Sequence, residues 1–134
     1  MSAPISELAA YRLARARETL TEAKDLSDGG HWHGVANRLY YACFYAVTAW
    51  LVQQGHSSPK HTGVRALVNR HLVQPGLFSR ELGTLYNDLF ELRQESDYED
   101  FVQQSEAEVR PLVAGVEILI ARVATLLEEE PRPL

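Results

Sequence analysis

The fold is decided by residues 39–52, LYYACFYAVTAWLV, a run of the chain that contains no charged side chain. At about 100° per residue, this run continues a helix that opens at Asn37 and Arg38. Its apolar stripe consists of Ala36, Leu39, Tyr40, Cys43, Val47 and Trp50. The run is too short to cross a bilayer, which takes roughly 20 apolar residues. We therefore predict a buried helix of a globular domain.

The opposite side of this helix is also poor in polar groups. It carries Arg38, Tyr41, Ala42, Tyr45 and Ala49. A helix that is apolar or aromatic nearly all round is buried on both sides. We therefore predict that one side packs in the chain's own core. The second side, through its two tyrosines and two alanines, is predicted to form the interface of a homodimer.

The rest of the chain is also predicted to be helical. Helices are expected over residues 6–26, 32–54 and 61–72, from residue 79 onward and from residue 105 onward. Pro111 either bends the last helix or marks its start near residue 110. Four long amphipathic helices and one short helix, joined by short loops, predict an all-α fold, namely an antiparallel up-and-down bundle.

Length and composition predict one domain over residues 1–134, with a core over about 6–127 and a frayed tail at 128–134. The net charge of −5 argues against a broad nucleic-acid-binding surface but leaves room for a small local site. The single cysteine, Cys43, is interpreted as a small buried apolar residue. Because the N-terminus lacks the pattern of a signal peptide, we expect a cytoplasmic protein that does not associate with membranes.

Arg93 is the residue that the sequence indicates most strongly as functional. It follows Tyr86 by one heptad and Leu89 by four residues, so it continues the apolar stripe of its helix. A desolvated arginine needs an anionic partner. That partner is either Asp97, one turn later, or a bound phosphate. Asp97 and Tyr98 lie close to Arg93 at the end of the same helix. This grouping favours a catalytic or binding role for all three residues.

Arg38, Tyr41 and Tyr45 allow two interpretations. In the functional one, Arg38 binds phosphate and the tyrosines stack on a base. In the structural one, the three residues are the polar edge of a dimer interface, where tyrosine and arginine are enriched.

The five histidines predict no metal site. His31 and His33 do not share a helix face, and no cysteine or acidic cluster accompanies them. Lys60 and His61 open the third helix, where backbone N–H groups can bind an anion. A solvated helix start is the simpler interpretation of that pair. No glycine-rich phosphate loop is present, and we predict no cofactor.

Three segments of the chain resemble the HEPN superfamily: NRLYYACFYA (37–46), SSPKHTGV (57–64) and LFELRQESDYEDF (89–101). Within it, they are most similar to the short stand-alone prokaryotic members, long catalogued as an uncharacterised protein family. The resemblance implies an up-and-down helical bundle that forms a homodimer. It also implies an association with a minimal nucleotidyltransferase, since many such pairs act as toxin and antitoxin.

Catalytic members of the superfamily are metal-independent ribonucleases that use an arginine, four to six further residues and then a histidine. Arg93 matches the arginine, but Tyr98 stands at the histidine position and Asp100 at that of a tyrosine that some partners modify with AMP. A phenol with a pKa near 10 is a poor proton shuttle at neutral pH. Asp97 is the alternative base. Arg65 and His71 are also separated by a number of residues that fits this motif. Their side chains would point about 240° apart on their helix, however, so we do not expect them to form a site.

These observations lead to three hypotheses. The first is a nucleotide- or RNA-binding HEPN protein, partner of a nucleotidyltransferase in a toxin–antitoxin-like or defence module, with phosphate held by Arg38, Tyr41 and Arg93. The second is an active ribonuclease in which Arg93 works with Tyr98 or Asp97. The third is a protein-interaction module without chemistry.

Overall fold

The computed structural model describes residues 5–98 and 104–129, apart from the side chains of residues 95–98. All regular structure in these ranges is helical, which confirms the predicted fold class for this part of the chain. The helices are α1 (Glu7–Asp28), α2 (Trp32–Gln53), α3 (His61–Val68), α4 (Arg80–Tyr98), α5 (Glu106–Val109) and α6 (Leu112–Glu128), and a π-helical turn, Asn69–Val73, directly follows α3. Residues 130–134 of the predicted frayed tail lie outside the described ranges.

Local signals bound the first two helices, which end within two residues of the predicted positions. The Ser6 hydroxyl accepts a hydrogen bond from the N–H of Ala9 (3.1 Å) and caps the start of α1. After α1 and α2 the chain turns at Gly30 and Gly55, whose φ angles of 76° and 84° lie in the left-handed region. Glycine adopts that conformation without a steric penalty, so both helices stop there.

The C-terminal helix is divided at its proline. Ser105 and Glu108 form a capping box at the start of α5, where the sequence predicted a helix to begin. That helix ends at Val109, and α6 begins at Leu112, directly after Pro111. Proline cannot donate the backbone hydrogen bond that a continuous helix needs. Of the two predicted alternatives, a bend at Pro111 or a helix start near residue 110, the structure shows the second.

Helix α2 is the centre of the bundle and contacts every other helix. Its most extensive partner is α1, which runs antiparallel to it. The N–H of Ser6 donates to Oε1 of Gln53 (2.9 Å) at one end, and Arg38 lies 3.5 Å from Glu22 at the other. The buried residues of α1 include three alanines seven residues apart: Ala9, Ala16 and Ala23. Small side chains at this spacing let the two backbones approach closely.

The side of α2 assigned to a second copy is mostly covered by the chain itself. Ala42, Ala46 and Ala49, called the alanine face below, have no exposed surface within the single chain. The prediction that Ala42 and Ala49 form a homodimer interface is therefore wrong. Tyr41 and Tyr45 are half-buried and keep an exposed edge. The predicted apolar stripe is confirmed, since all six of its members are buried.

Cys43 lies inside this core and is completely buried. Burial raises the pKa of its thiol, because the thiolate would lose its hydration. The interpretation of Cys43 as an apolar packing residue is therefore confirmed. None of the helices in the described ranges is long and apolar enough to cross a membrane.

Candidate functional site

The candidate site is built on Tyr40, which is completely buried in α2. Its ring centroid lies 6.1 Å from that of Tyr86 and 6.2 Å from that of Phe90, both in α4. Burial raises the pKa of Tyr40 to about 12, so the phenol stays protonated at neutral pH. Tyr40 therefore joins α2 to the part of α4 that precedes Arg93.

Arg93 lies on the next turn of α4 and is half-buried. Its Cζ is 5.5 Å from the ring centroid of Tyr40 and 5.6 Å from that of Tyr41. A guanidinium within about 6 Å of an aromatic ring is attracted by the negative face of that ring. Tyr86 and Leu89 are buried, which confirms that Arg93 continues an apolar stripe. The charge is thus held at the edge of the core by two tyrosines.

Arg38 approaches the same site from α2. Its Cζ lies 5.4 Å from the ring centroid of Tyr41, so this one ring has a guanidinium from each of two helices beside it. Arg38 also donates to Oδ1 of Asn37 at 2.8 and 3.1 Å. Its 3.5 Å contact with Glu22 is partly solvent-exposed and is worth at most about 1 kcal/mol. The two arginines predicted to bind phosphate therefore meet at Tyr41.

Helix α4 continues through Asp97 to Tyr98, so both follow Arg93 within the same helix. Their side chains lie outside the described part of the structure, as does residue Asp100. The catalytic roles assigned to Asp97 and Tyr98 stay predictions.

His61 belongs to this site, although the sequence indicated it only as the start of the third helix and not as a partner of Tyr40. Its Nδ1 lies 2.7 Å from Oη of Tyr40, a hydrogen bond between α3 and α2. The imidazole is half-buried, and its centroid is 4.7 Å from that of Phe44 and 5.9 Å from that of Tyr41. The interpretation of His61 as a solvated helix start is therefore wrong. No periodic pattern connects it with Tyr40, because the two residues belong to different helices.

Tyr41 begins a row of half-buried rings that continues with Phe44 and Tyr45, with centroids 6.1 to 6.2 Å apart. We call these three residues the aromatic row. Cζ of Arg15 lies 5.2 Å from the Tyr45 ring centroid and Arg15 also pairs with exposed Glu18 (3.3 Å). Beyond the row lies a cavity of about 170 Å³ whose lining includes Arg12, Thr48, His56, Ser57 and Ser58. Arginines therefore flank both ends of the row, although the whole chain is acidic.

The second arginine–histidine pair with suitable spacing does not form a site. Arg65 lies over the Phe90 ring (4.1 Å from Cζ to centroid) and donates to Glu91 (3.0 Å). His71 instead stacks on His56 with centroids 4.0 Å apart. The two face different partners, as the helical geometry predicted. Among the described residues, no group of three or more histidine, cysteine or acidic side chains is placed to hold a metal ion.

Comparison with known proteins agrees with this architecture. The sequence profile of the HEPN domain matches residues 9–128. A UPF0332 protein of Thermotoga maritima is 39% identical over 91% of this chain and 92% of its own length. A Methanocaldococcus jannaschii protein named as a candidate toxin is 26% identical over 85% of this chain and 84% of its own. A second protein of that organism, also named as a candidate toxin, is 24% identical over 75% of this chain and 69% of its own length. The chain therefore belongs to the HEPN domain family.

Proposed function

We propose that this protein binds a nucleotide or the phosphates of single-stranded RNA in the site formed by Arg38, Tyr41 and Arg93. The observation that carries the proposal is the Tyr41 ring, with a guanidinium about 5.5 Å from its centroid on each of two helices. Guanidinium groups bind phosphate oxygens in a bidentate manner, and a tyrosine ring stacks on a base. The acidic net charge supports a local site rather than a broad binding surface.

Titration of a fluorescent single-stranded RNA in EDTA tests the proposal. Arg93→Ala should weaken binding about 10-fold or more, because a hydrogen bond to a charged group contributes about 1.5–3 kcal/mol. The slope of log affinity against log salt concentration should also fall by about 1, because one phosphate contact is lost. Arg17→Ala is the matched control, since Arg17 is exposed on α1 away from the site. Equal affinities of wild type and Arg93→Ala would refute the site assignment.

We further propose that the protein acts in the cytoplasm, in a toxin–antitoxin-like or defence module with a minimal nucleotidyltransferase as its partner. Membership of the HEPN family and the two relatives named as candidate toxins support this role. Co-expression with an adjacent nucleotidyltransferase gene should give a complex that co-purifies. Co-purification by a protein that binds neither nucleotide nor RNA would instead favour a pure interaction module.

A homodimer is part of the proposal, with the exposed edge of Tyr45 as its contact, because Tyr41 belongs to the proposed binding site. Light scattering at micromolar concentration should give twice the chain mass. Tyr45→Arg should then give the mass of a single chain, whereas a monomeric wild type would refute the dimer.

A second candidate function is that of a metal-independent ribonuclease. It is favoured by His61, which places a group able to transfer protons beside Tyr40 and Tyr41, the two rings that Arg93 contacts. In this function Arg93 stabilises the negative charge of the transition state. Cleavage of RNA in EDTA by the wild type and not by Arg93→Ala would establish it. Asp97 and Tyr98 are the other residues assigned to proton transfer.

A further inference from the structure

The cavity beyond the aromatic row adjoins the site proposed for phosphate binding. Phe44 and Tyr45 belong to its lining, and the centroids of their rings lie 6.1 and 6.2 Å from that of Tyr41. Tyr41 is also the ring that has Arg38 and Arg93 beside it. A ligand held at Tyr41 can therefore extend along the aromatic row into the cavity.

The cavity has the size and the lining for one nucleobase. Its volume of about 170 Å³ is below the roughly 300–1,000 Å³ of pockets for drug-sized ligands, so it accepts a small group rather than a whole nucleotide. Phe44, Leu51 and Val64 supply apolar lining, whereas Ser57 and Ser58 supply hydroxyl groups. An aromatic ring can stack on any base, and a hydroxyl group can donate to or accept from the edge of a base.

Arg12 brings a positive charge to the same cavity. Its side chain is half-buried, and Nη1 donates a long hydrogen bond of 3.5 Å to the backbone oxygen of Thr48. None of the described residues places a carboxylate in ion-pair contact with Arg12, whereas Arg15, one turn later in α1, pairs with Glu18 at 3.3 Å. A half-buried guanidinium without a carboxylate partner favours an anionic ligand, and phosphate can accept two of its hydrogen bonds.

We propose that the cavity is a second subsite for single-stranded RNA. It takes the base of the nucleotide next to the one held at Tyr41, and Arg12 binds the phosphate that joins the two. The inference rests on the proposed binding function and narrows its ligand from a mononucleotide to an RNA of at least two nucleotides. Because ring stacking and hydroxyl contacts suit every base, the subsite selects for length rather than for sequence.

The test compares the affinities of the wild type and of Arg12→Ala for 5′-AMP and for the 5′-phosphorylated dinucleotide pApA, measured by calorimetric titration in EDTA. The wild type should bind pApA about 10-fold more tightly than 5′-AMP, because a second base and a second phosphate are held. Arg12→Ala should weaken the binding of pApA about 5-fold or more and leave that of 5′-AMP within about twofold. Arg93→Ala should weaken the binding of both ligands.

Arg17→Ala is the matched control, because Arg17 is exposed on the same helix and does not line the cavity. Ser57→Phe is a second, independent variant, since Ser57 is an exposed part of the lining and a large ring there narrows the cavity without removing a charge. It should weaken the binding of pApA and not that of 5′-AMP. Circular dichroism and light scattering check that each variant keeps the fold and mass of the wild type, and Ser57→Phe decides if Arg12→Ala does not.

Equal affinities of the wild type for 5′-AMP and pApA would overturn the inference. So would a folded Arg12→Ala variant that binds pApA as tightly as the wild type. Either result would leave the proposed nucleotide site at Tyr41 standing. A wild type that binds neither these ligands nor the fluorescent RNA would refute the binding function itself.

Discussion

Two sides of the same uncharged helix, α2, have opposite properties. The alanine face is fully buried and carries no polar side-chain atom. The aromatic row is half-buried and carries two phenol groups. It lies beside Arg15, Arg38 and Arg93, which belong to three different helices. The two sides differ little in hydropathy, but they differ in the size of their side chains. Alanines let a neighbouring helix approach until no space is left, whereas large rings keep neighbours apart and present their polar tips at the gaps.

The largest effect is expected from a charge placed on the alanine face. Ala42→Arg should lower the free energy of unfolding by about 4 kcal/mol or more, because it buries an unpaired charge in a packed interface. The variant should lose its fold rather than convert a folded dimer into folded monomers. Urea denaturation followed by circular dichroism measures this effect. Ala14→Arg, on the exposed side of α1, should change the free energy of unfolding by less than about 0.5 kcal/mol.

The aromatic row should respond in binding rather than in folding. Tyr41→Ala should weaken the affinity for single-stranded RNA by about 1–3 kcal/mol, the usual contribution of one stacked base. Tyr41→Phe should retain most of the affinity, because the ring remains. Tyr11→Ala removes a tyrosine that is 64% exposed on α1 and should leave RNA binding unchanged. If both alanine variants bound RNA as tightly as the wild type, Tyr41 would have no part in the site.

Alkaline pH should destabilise the fold through Tyr40, the buried phenol on which the site is built. The pKa of Tyr40 is about 12 in the folded protein and near 10 in an unfolded chain. Its contribution to stability is therefore complete below about pH 10 and is lost as the pH rises toward 12, where unfolding lets the phenol ionise. Urea denaturation across this range should show a smaller loss for Tyr40→Phe than for the wild type. Parallel losses in both proteins would argue against the raised pKa.

The smallest effect is expected on the outer surface, away from both sides of α2. Lys24 of α1 and Glu117 of α6 lie 2.7 Å apart, but each side chain is about half exposed. Such pairs contribute about 0–1 kcal/mol. Lys24→Ala should therefore change the urea midpoint only slightly, and high salt should remove most of the difference. A loss comparable with that of Ala42→Arg would show that the helices depend on surface charge rather than on core packing.

The sequence predicted most of the helices because their signals are local. The cap at Ser6 and the turns at Gly30 and Gly55 act over one or two helical turns, and the break at Pro111 follows from a missing N–H group. The position of Arg93 was predictable for a similar reason, since seven-residue spacing from Tyr86 places both on one face. The site residues predicted on α2 and α4, Arg38, Tyr41 and Arg93, do come together.

What the sequence determined by itself was therefore the set of helices, the apolar stripe of α2 and the arginines that border it, because periodicity and capping are properties of neighbouring residues. Tertiary structure alone decided that Ala42 and Ala49 pack inside the chain and that His61 is bonded to Tyr40. Both outcomes depend on which helix lies against which, and that choice is made by shape and size across distant segments. A nearly uncharged helix has no polar face to show which side will remain in water.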